Sequence, residues 1–285
     1  MHELTDASVD CAPQPGVPWW SFTKTVLAAA ALRLVAQGRL ALDEPFDCRP
    51  FTLRQLLQHR AGVPDYGALP AYRAAVQNGE KPWNAMQLLD YAGADRLEFE
   101  PGHDWGYSNI GYYLVRRKIE DITGRNIGSA LQHLVFDALG LASVHIAATA
   151  GDLAKTLWGN PGGYDPGWVY HGLLVGTASD AARFLHGLIL GEVLPSHLLT
   201  EMKTFVAIGG PIQRRPWQIA GYGLGLMAGR MTAAGSALGH SGAGPGSVSA
   251  VYHFNDLRTP RTVAAFAQAE DESITEYEVE RLALA

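Results

Sequence analysis

The chain has 285 residues, a net charge of −6, a hydrophobic fraction of 47% and a charged fraction of 18%. These values predict a globular protein with a large core and exclude a disordered or fibrous chain. The negative charge argues against nucleic acid and anionic membranes as partners. The longest apolar run, Val26 to Leu32, is too short to cross a bilayer.

The segment that starts at Met1 lacks the basic start and apolar stretch of a secretory signal, so the chain as written is expected to be cytoplasmic. A periplasmic or secreted location stays open if the chain is a trimmed form. Cys11 and Cys48 have no metal-ligand spacing. We interpret them as ordinary thiols, with a pairing between them as the alternative, and predict neither a metal site nor a cofactor.

Helical periodicity begins at Ser21 and continues to Gln37, and Gly38 supplies a C-terminal stop. A second helix over 52–58 has Thr52 as its capping residue. The same periodicity predicts further helices over 85–94, 109–121, 126–139, 178–191, 195–205 and 273–284.

The pattern changes near residue 217, where segments rich in Val, Tyr, Phe and small residues predict strands over 222–227, 231–238, 247–254 and 262–269. These elements predict an α+β fold, in which helices flank an antiparallel sheet and an all-helical lobe is inserted. We expect a single domain over 1–285. Its α/β lobe would comprise about 1–45 and 216–285, and its helical lobe about 46–215.

The first chemical motif is Ser21-Phe22-Thr23-Lys24 at the start of the first predicted helix. A spacing of three residues places the hydroxyl and the amine on one helix face. A lysine with a depressed pKa can take the proton that a serine must lose to become a nucleophile. The motif alone is also typical of a serine cap beside a solvated lysine.

Two further motifs follow in the chain. In Tyr107-Ser108-Asn109, the phenol can transfer a proton and the amide can bind a substrate carbonyl, although a capped helix start is the plainer interpretation. His240-Ser241-Gly242 precedes a glycine loop, and a strand of small residues lets a substrate backbone lie alongside it. A turn with a surface histidine is the alternative.

Together, in this order, the three motifs resemble those of the class C β-lactamase, serine D-Ala-D-Ala carboxypeptidase and family VIII esterase superfamily, which are penicillin-binding-protein-like serine hydrolases. Connecting segments add to the likeness: 56–66 resembles the family's "LLxHxSGLPDY", 176–184 its "STASDLARF" and 222–225 its "YGLG". The likeness runs from about Pro18 to Ala269.

The resemblance implies roles for individual residues. Ser21 would be acylated, with Lys24 and Tyr107 as its proton-transfer partners and Asn109 binding the substrate carbonyl. His240 and Gly242 would border the pocket, and the backbone amides of Ser21 and Ala243 would form the oxyanion hole. The reaction implied is a two-step acyl transfer without a cofactor. Whether Lys24 or Tyr107 is the first base stays open.

His240 stands where many family members have lysine, and a largely neutral histidine offers a substrate carboxylate less charge. This favours carboxylester cleavage first, D-Ala-type peptide cleavage second and β-lactam hydrolysis third. A catalytically silent binding protein is the alternative from another class. The expected partner is a small ester, amide or peptide, and a short N-terminal region that exposes a sheet edge would permit a homo-oligomer.

Other aromatic and histidine residues are open to two interpretations. Six aromatic side chains either line an apolar pocket or pack in the core: Trp19, Trp105, Trp158, Trp168, Tyr164 and Tyr170. Among the histidines, His103 is expected to border the cleft, while His59, His171 and His186 are interpreted as structural.

Overall fold

The computed structural model describes residues 14–160 and 162–285. Cys48 is an exposed free thiol. Cys11 lies outside the described residues, so its predicted state is untested.

The predicted helices are present, with small differences at their ends. Ser21 lies in a 3-10 turn, Trp20–Phe22, which leads directly into helix α1. The helices are α1 (Thr23–Ala36), α2 (Leu53–Leu57), α3 (Pro70–Gln77), α4 (Ala85–Tyr91), α5 (Asn109–Thr123), α6 (Ile127–Leu131), α7 (Asp137–Leu139), α8 (Ala150–Ala154), α9 (Ala178–Ile189), α10 (Ser196–Lys203) and α11 (Ser273–Leu284).

The strands form two antiparallel sheets within the described part of the chain. A three-stranded sheet has the order β1-β3-β2, and a six-stranded sheet runs from β4 to β9 in sequence order. The strands are β1 (Val17–Pro18), β2 (His145–Ile146), β3 (Leu174–Gly176), β4 (Val206–Gly209), β5 (Trp217–Tyr222), β6 (Met227–Met231), β7 (Gly235–Gly244), β8 (Ser247–Phe254) and β9 (Arg261–Ala267). The molecule therefore combines helices with antiparallel sheet, as the α+β prediction required.

The strand predicted over 222–227 is wrong. Residues 223–226 instead form the turn between β5 and β6, in which Gly225 has a φ of +76°. A methyl group on Gly225 would lie 2.4 Å from the Ala28 side chain, and Thr25 Oγ1 donates a 2.7 Å hydrogen bond to the Gly225 carbonyl. The alternation of small and apolar residues here comes from a glycine turn packed on α1, and it imitates the two-residue period of a strand.

Helices cover both faces of the six-stranded sheet. Val251 and Phe266 pack in the core that contains α1 and α9. Their neighbours Tyr252 and Ala265 pack with Val279 of α11 in a second core. Because successive strand side chains point to opposite faces, every residue of β8 is buried. This layering fixes the inner strand β7 beside the N-terminal end of α1.

Candidate active site

Ser21 follows a residue with an unusual backbone. Trp20 has a φ of +46°, a conformation that a bulky residue adopts only where its surroundings compensate. Its indole Nε1 donates a 2.9 Å hydrogen bond to Ser247 Oγ, and a methyl group on Gly244 would lie 2.3 Å from the Trp20 ring. Trp20 is thus held by packing on the β7–β8 turn, and this holds the half-buried Ser21 at the start of α1.

Lys24 is fully buried one turn after Ser21. Its Nζ lies 3.4 Å from Ser21 Oγ, donates to Asn109 Oδ1 at 2.7 Å and lies 3.3 Å from His171 Nε2. Burial lowers the pKa of Lys24 to about 7, while the carboxylates of Asp65 and Glu272 oppose that decrease. A large fraction of this amine is therefore neutral near pH 7 and able to accept a proton.

Tyr107 lies two residues before helix α5 and contacts Ser21. Its hydroxyl donates a 2.8 Å hydrogen bond to Ser21 Oγ. Burial raises the pKa of Tyr107 well above its ordinary value, and the hydrogen bond to Ser21 opposes the increase. The His59 ring packs 4.4 Å from the Tyr107 ring, centroid to centroid. The Tyr107 phenol is therefore protonated, and the hydrogen bond to Ser21 and the packing of His59 keep it in place.

The segment before α3 holds the second motif in place. Asp65 Oδ1 accepts a 2.8 Å hydrogen bond from the Asn109 backbone N–H. His59 Nδ1 accepts one of 3.1 Å from the Ser108 backbone N–H, and Ser108 Oγ donates to the Pro64 carbonyl at 2.9 Å. These hydrogen bonds show that the "LLxHxSGLPDY"-like segment fixes the position of the Tyr107-Ser108-Asn109 motif.

Strand β7 packs closely against the turn that carries Ser21. A methyl group on Gly242 would lie only 2.7 Å from the Ser21 backbone nitrogen, so the close approach of strand and turn requires glycine. Ala243, the next residue, is exposed. The structure thus places Gly242 beside Ser21, with Ala243 next to Gly242 in the strand.

His240 is buried in β7, and both of its ring nitrogens have partners within the protein. Nδ1 contacts the Ser241 carbonyl, which can only accept, so Nδ1 carries the proton. Nε2 is then the acceptor for the Tyr222 hydroxyl at 2.7 Å. Burial lowers the pKa of His240 to about 3, and the charge of Lys24 adds to the decrease. The ring is neutral at physiological pH.

A buried ionic cluster supports β7 from beneath. Glu276 of α11 is fully buried and accepts hydrogen bonds from Ser241 Oγ at 2.5 Å and from Trp217 Nε1 at 3.0 Å. Arg215 Nε donates to the same carboxylate at 2.6 Å, and Arg215 also pairs with Glu272 at 3.1 Å. The guanidinium of Arg215 is therefore engaged by two carboxylates.

The remaining aromatic and histidine residues divide between core and site. Trp19 and Trp168 pack in the core, whereas Trp105 is half-buried against His59 and Tyr222. His103 is exposed and pairs with Glu100. His171 is buried, and its Nε2 lies 3.3 Å from Lys24 Nζ, so the residue interpreted as structural lies next to the second residue of the first motif. Sequence gave no signal for this contact, which joins positions 147 residues apart.

Within residues 14–160 and 162–285, no group of three or more His, Cys, Asp or Glu side chains is arranged to hold a metal ion. Over the same residues, no helix combines the length and the hydropathy needed to cross a membrane.

The chain is similar to known proteins in both sequence and fold. A family model described as Beta-lactamase matches residues 11–284. Lovastatin esterase of Penicillium rubens is 31% identical over 224 residues, which cover 64% of this chain and 54% of the esterase. Esterase EstB of Burkholderia gladioli is 31% identical over 141 residues, 42% of this chain and 36% of EstB.

Another relative has a different description: the probable fimbrial assembly protein FimD, serogroup H1, of Dichelobacter nodosus is 30% identical over 124 residues, 39% of this chain and 30% of FimD. This chain thus spans between about a third and a half of the length of these three curated relatives.

Solved structures extend the likeness to nearly the whole chain. A D-stereospecific amidohydrolase from Streptomyces sp. superposes with a TM-score of 0.78 at 26% identity, covering 94% of this chain and 87% of its own. The D-amino acid amidase of Ochrobactrum anthropi SV3, complexed with D-phenylalanine, gives a TM-score of 0.76 at 23% identity, with coverages of 95% and 83%. The latter likeness concerns the fold.

Proposed function

This chain belongs to the Beta-lactamase family, and we propose that it is a serine hydrolase that cleaves small esters or amides through an acyl-enzyme on Ser21. One observation carries the proposal: Ser21 Oγ lies 2.8 Å from the Tyr107 hydroxyl and 3.4 Å from Lys24 Nζ. A nucleophile within reach of two proton-transfer groups is the arrangement that acyl transfer needs. A catalytically silent binding protein has no need of it.

In the proposed acylation, neutral Lys24 accepts the Ser21 proton while Oγ bonds to the substrate carbonyl carbon. The backbone N–H groups of Ser21 and Ala243 would stabilise the oxyanion. As the tetrahedral intermediate collapses, Tyr107 donates its proton to the leaving alcohol or amine and regains one from the Lys24 ammonium. We assign the role of first base to Lys24. Burial disfavours the Tyr107 phenolate, whereas burial of Lys24 favours its neutral amine near pH 7.

Deacylation uses the same groups with water as the acyl acceptor. A water molecule that attacks the ester carbonyl gives its proton to the Lys24–Tyr107 pair, and Ser21 Oγ leaves with a proton from that pair. Both groups contact Ser21 Oγ, so a proton can pass between them by way of this oxygen. An alcohol or amine in place of water would give transacylation by the same route.

The charges around the site favour substrates without a free carboxylate. His240 is neutral because burial keeps its pKa at about 3. Arg215 is engaged by Glu276 and Glu272. We therefore propose neutral esters as the first substrate class. D-amino acid amides are the second candidate, favoured by the likeness to the Streptomyces D-stereospecific amidohydrolase over 94% of this chain.

A substrate panel tests this proposal. Hydrolysis is measured for p-nitrophenyl esters, D-amino acid p-nitroanilides, nitrocefin, acetyl-D-Ala-D-Ala and the C-terminal amide of that dipeptide. The carboxylate of the free acid would lose its hydrogen bonds to water without gaining a charge-assisted hydrogen bond from the site, a deficit of about 1.5–3 kcal/mol. We therefore expect kcat/KM for the uncharged amide to exceed that for the free acid by about 10-fold or more. The acid and amide differ only in that terminal group, so each is the control for the other. Faster cleavage of the acid, or turnover of nothing in the panel, contradicts the proposal.

A further inference from the structure

His171 contacts Lys24, the proposed base. Its Nε2 lies 3.3 Å from Lys24 Nζ, and the imidazole is buried with a relative exposure of 3%. The other ring nitrogen, Nδ1, is also buried and has no hydrogen-bond partner among the described residues. Lys24 is thus the one hydrogen-bonding partner that the structure shows for this ring.

The segment that carries His171 is held on several sides. The Trp168 carbonyl accepts a 2.7 Å hydrogen bond from Tyr66, and the Tyr170 carbonyl accepts one of 3.1 Å from Arg116. Gly172 follows with a φ of +98°, a backbone conformation that glycine adopts without strain. After this turn the chain enters β3, where the Leu174 backbone N–H donates to Thr23 Oγ1 at 3.2 Å. A ring presented by such a turn keeps a fixed position relative to α1.

The hydrogen bonds that Lys24 can donate depend on its protonation state. An ammonium has three N–H groups, and three acceptors surround Nζ: Ser21 Oγ, Asn109 Oδ1 and His171 Nε2. A neutral amine has two N–H groups and one lone pair. If Asn109 and His171 accept the two N–H groups, the lone pair is directed at Ser21. The tautomer of His171 with its proton on Nδ1 serves both protonation states.

On the basis of the proposed acyl transfer, we propose that His171 is a positioning residue that accepts a hydrogen bond from Lys24 and so directs the lysine lone pair at Ser21. His171 itself exchanges no proton during turnover. Its burial lowers its pKa well below the ordinary value, and the charges of Lys24 and Arg116 act in the same direction. The other titratable groups that act on it are His240 and His59, which burial also keeps neutral.

The proposal predicts different results for substitutions that differ only in reach and polarity. The Oε1 atom of glutamine occupies roughly the place of histidine Nε2, whereas the side chain of asparagine is too short. We therefore expect His171→Gln to retain kcat/KM within about fivefold. His171→Leu and His171→Asn are expected to lower the acylation rate by about 10- to 100-fold, because the amine is no longer oriented.

A second readout separates positioning from mere packing. The hydrogen bond to His171 stabilises the ammonium more than the neutral amine, so its loss lowers the pKa of Lys24. The acid limb of the pH profile of kcat/KM should therefore move to lower pH by about one unit in His171→Leu. A variant that only loosened the core would lose melting temperature and active fraction without moving this limb.

The experiment measures kcat/KM for a p-nitrophenyl ester from pH 5 to 9, with active-site titration and thermal melting of every variant. His253→Leu is the matched control, because His253 is also buried but hydrogen-bonds Thr262 at 2.8 Å in the sheet. Loss of rate and a shifted limb in His171→Leu and His171→Asn, with recovery in His171→Gln, support the proposal. Wild-type rate and limb in His171→Leu or His171→Asn overturn it. Failure of the wild-type protein to hydrolyse any ester or amide of the substrate panel overturns the proposed function instead.

Discussion

Replacing Lys24 with methionine is expected to lower kcat/KM for a p-nitrophenyl ester by at least about 10²-fold, the usual scale for a lost proton transfer. Methionine has nearly the shape of the lysine stem, so the buried space around α1 stays filled. The loss should come from acylation, which stopped-flow release of p-nitrophenolate measures. Lys155→Met, at an exposed lysine, is the control and should keep wild-type rates. Unchanged acylation in Lys24→Met would show that another group is the base.

The pH profile of the wild-type protein belongs to the same prediction. The Lys24 amine is the base only when it is neutral, and burial lowers its pKa to about 7. The rate constant kcat/KM should therefore be low below pH 6 and rise as pH passes through about 7. The nearby imidazoles of His59, His171 and His240 cannot produce this limb, because burial lowers their pKa values as well. A profile that is flat from pH 5 to 8 contradicts the assignment.

Replacing Glu276 with leucine is expected to lower the free energy of unfolding by about 3–5 kcal/mol, the cost of breaking a buried ion pair by removing one partner. The substitution removes the carboxylate that accepts hydrogen bonds from Ser241 Oγ, Trp217 Nε1 and Arg215 Nε. These bonds connect α11 with β7, with β5 and with the residue just before Pro216 and β5. Part of the Arg215 charge stays compensated by Glu272 at 3.1 Å.

Urea unfolding measures the effect, and Asp121→Asn is its control. Asp121 pairs with Arg117 at 3.8 Å, and both side chains are more than half exposed. Exposed pairs contribute only about 0–1 kcal/mol, so the control should unfold close to the wild-type midpoint. A loss below about 1 kcal/mol in Glu276→Leu would mean that the cluster does not hold β7.

Much of the fold was predictable because the helices are long enough for their period to be counted. The boundary at Thr52 was marked by the capping residue that the sequence indicated. Helix α5 is capped by Ser108, a residue that was not predicted as a cap. Short strands such as β1–β3 were missed, since two or three residues carry no period. Helix α3, which begins at Pro70, was missed between turn residues. The strand prediction over 222–227 was wrong because a glycine turn has the same alternation of small and apolar residues as a strand.

The order and spacing of three motifs indicated the candidate site, and the structure brings Ser21, Lys24, Tyr107 and Asn109 into one hydrogen-bonded group. Contacts between distant segments were out of reach. His171 meets Lys24 only because β3 pairs with β1, just before Ser21.

The roles of Asp65 and Trp20 were not predicted for a related reason, although Asp65 lies in the 56–66 segment and Trp20 directly precedes Ser21. The role of Asp65 depends on a backbone N–H of α5, and the role of Trp20 depends on a left-handed backbone conformation. Neither of these is visible in residue type.

The nucleophilicity of Ser21, on which the acyl-enzyme depends, is tested most directly by intact-protein mass spectrometry after reaction with a fluorophosphonate probe, which phosphonylates an activated serine with loss of fluoride, followed by peptide mapping. One adduct on Ser21 in the wild-type protein, absent in Ser21→Ala and retained in Ser129→Ala on helix α6, is the predicted result. No adduct in the folded wild-type protein, or an adduct that survives Ser21→Ala, would contradict the account.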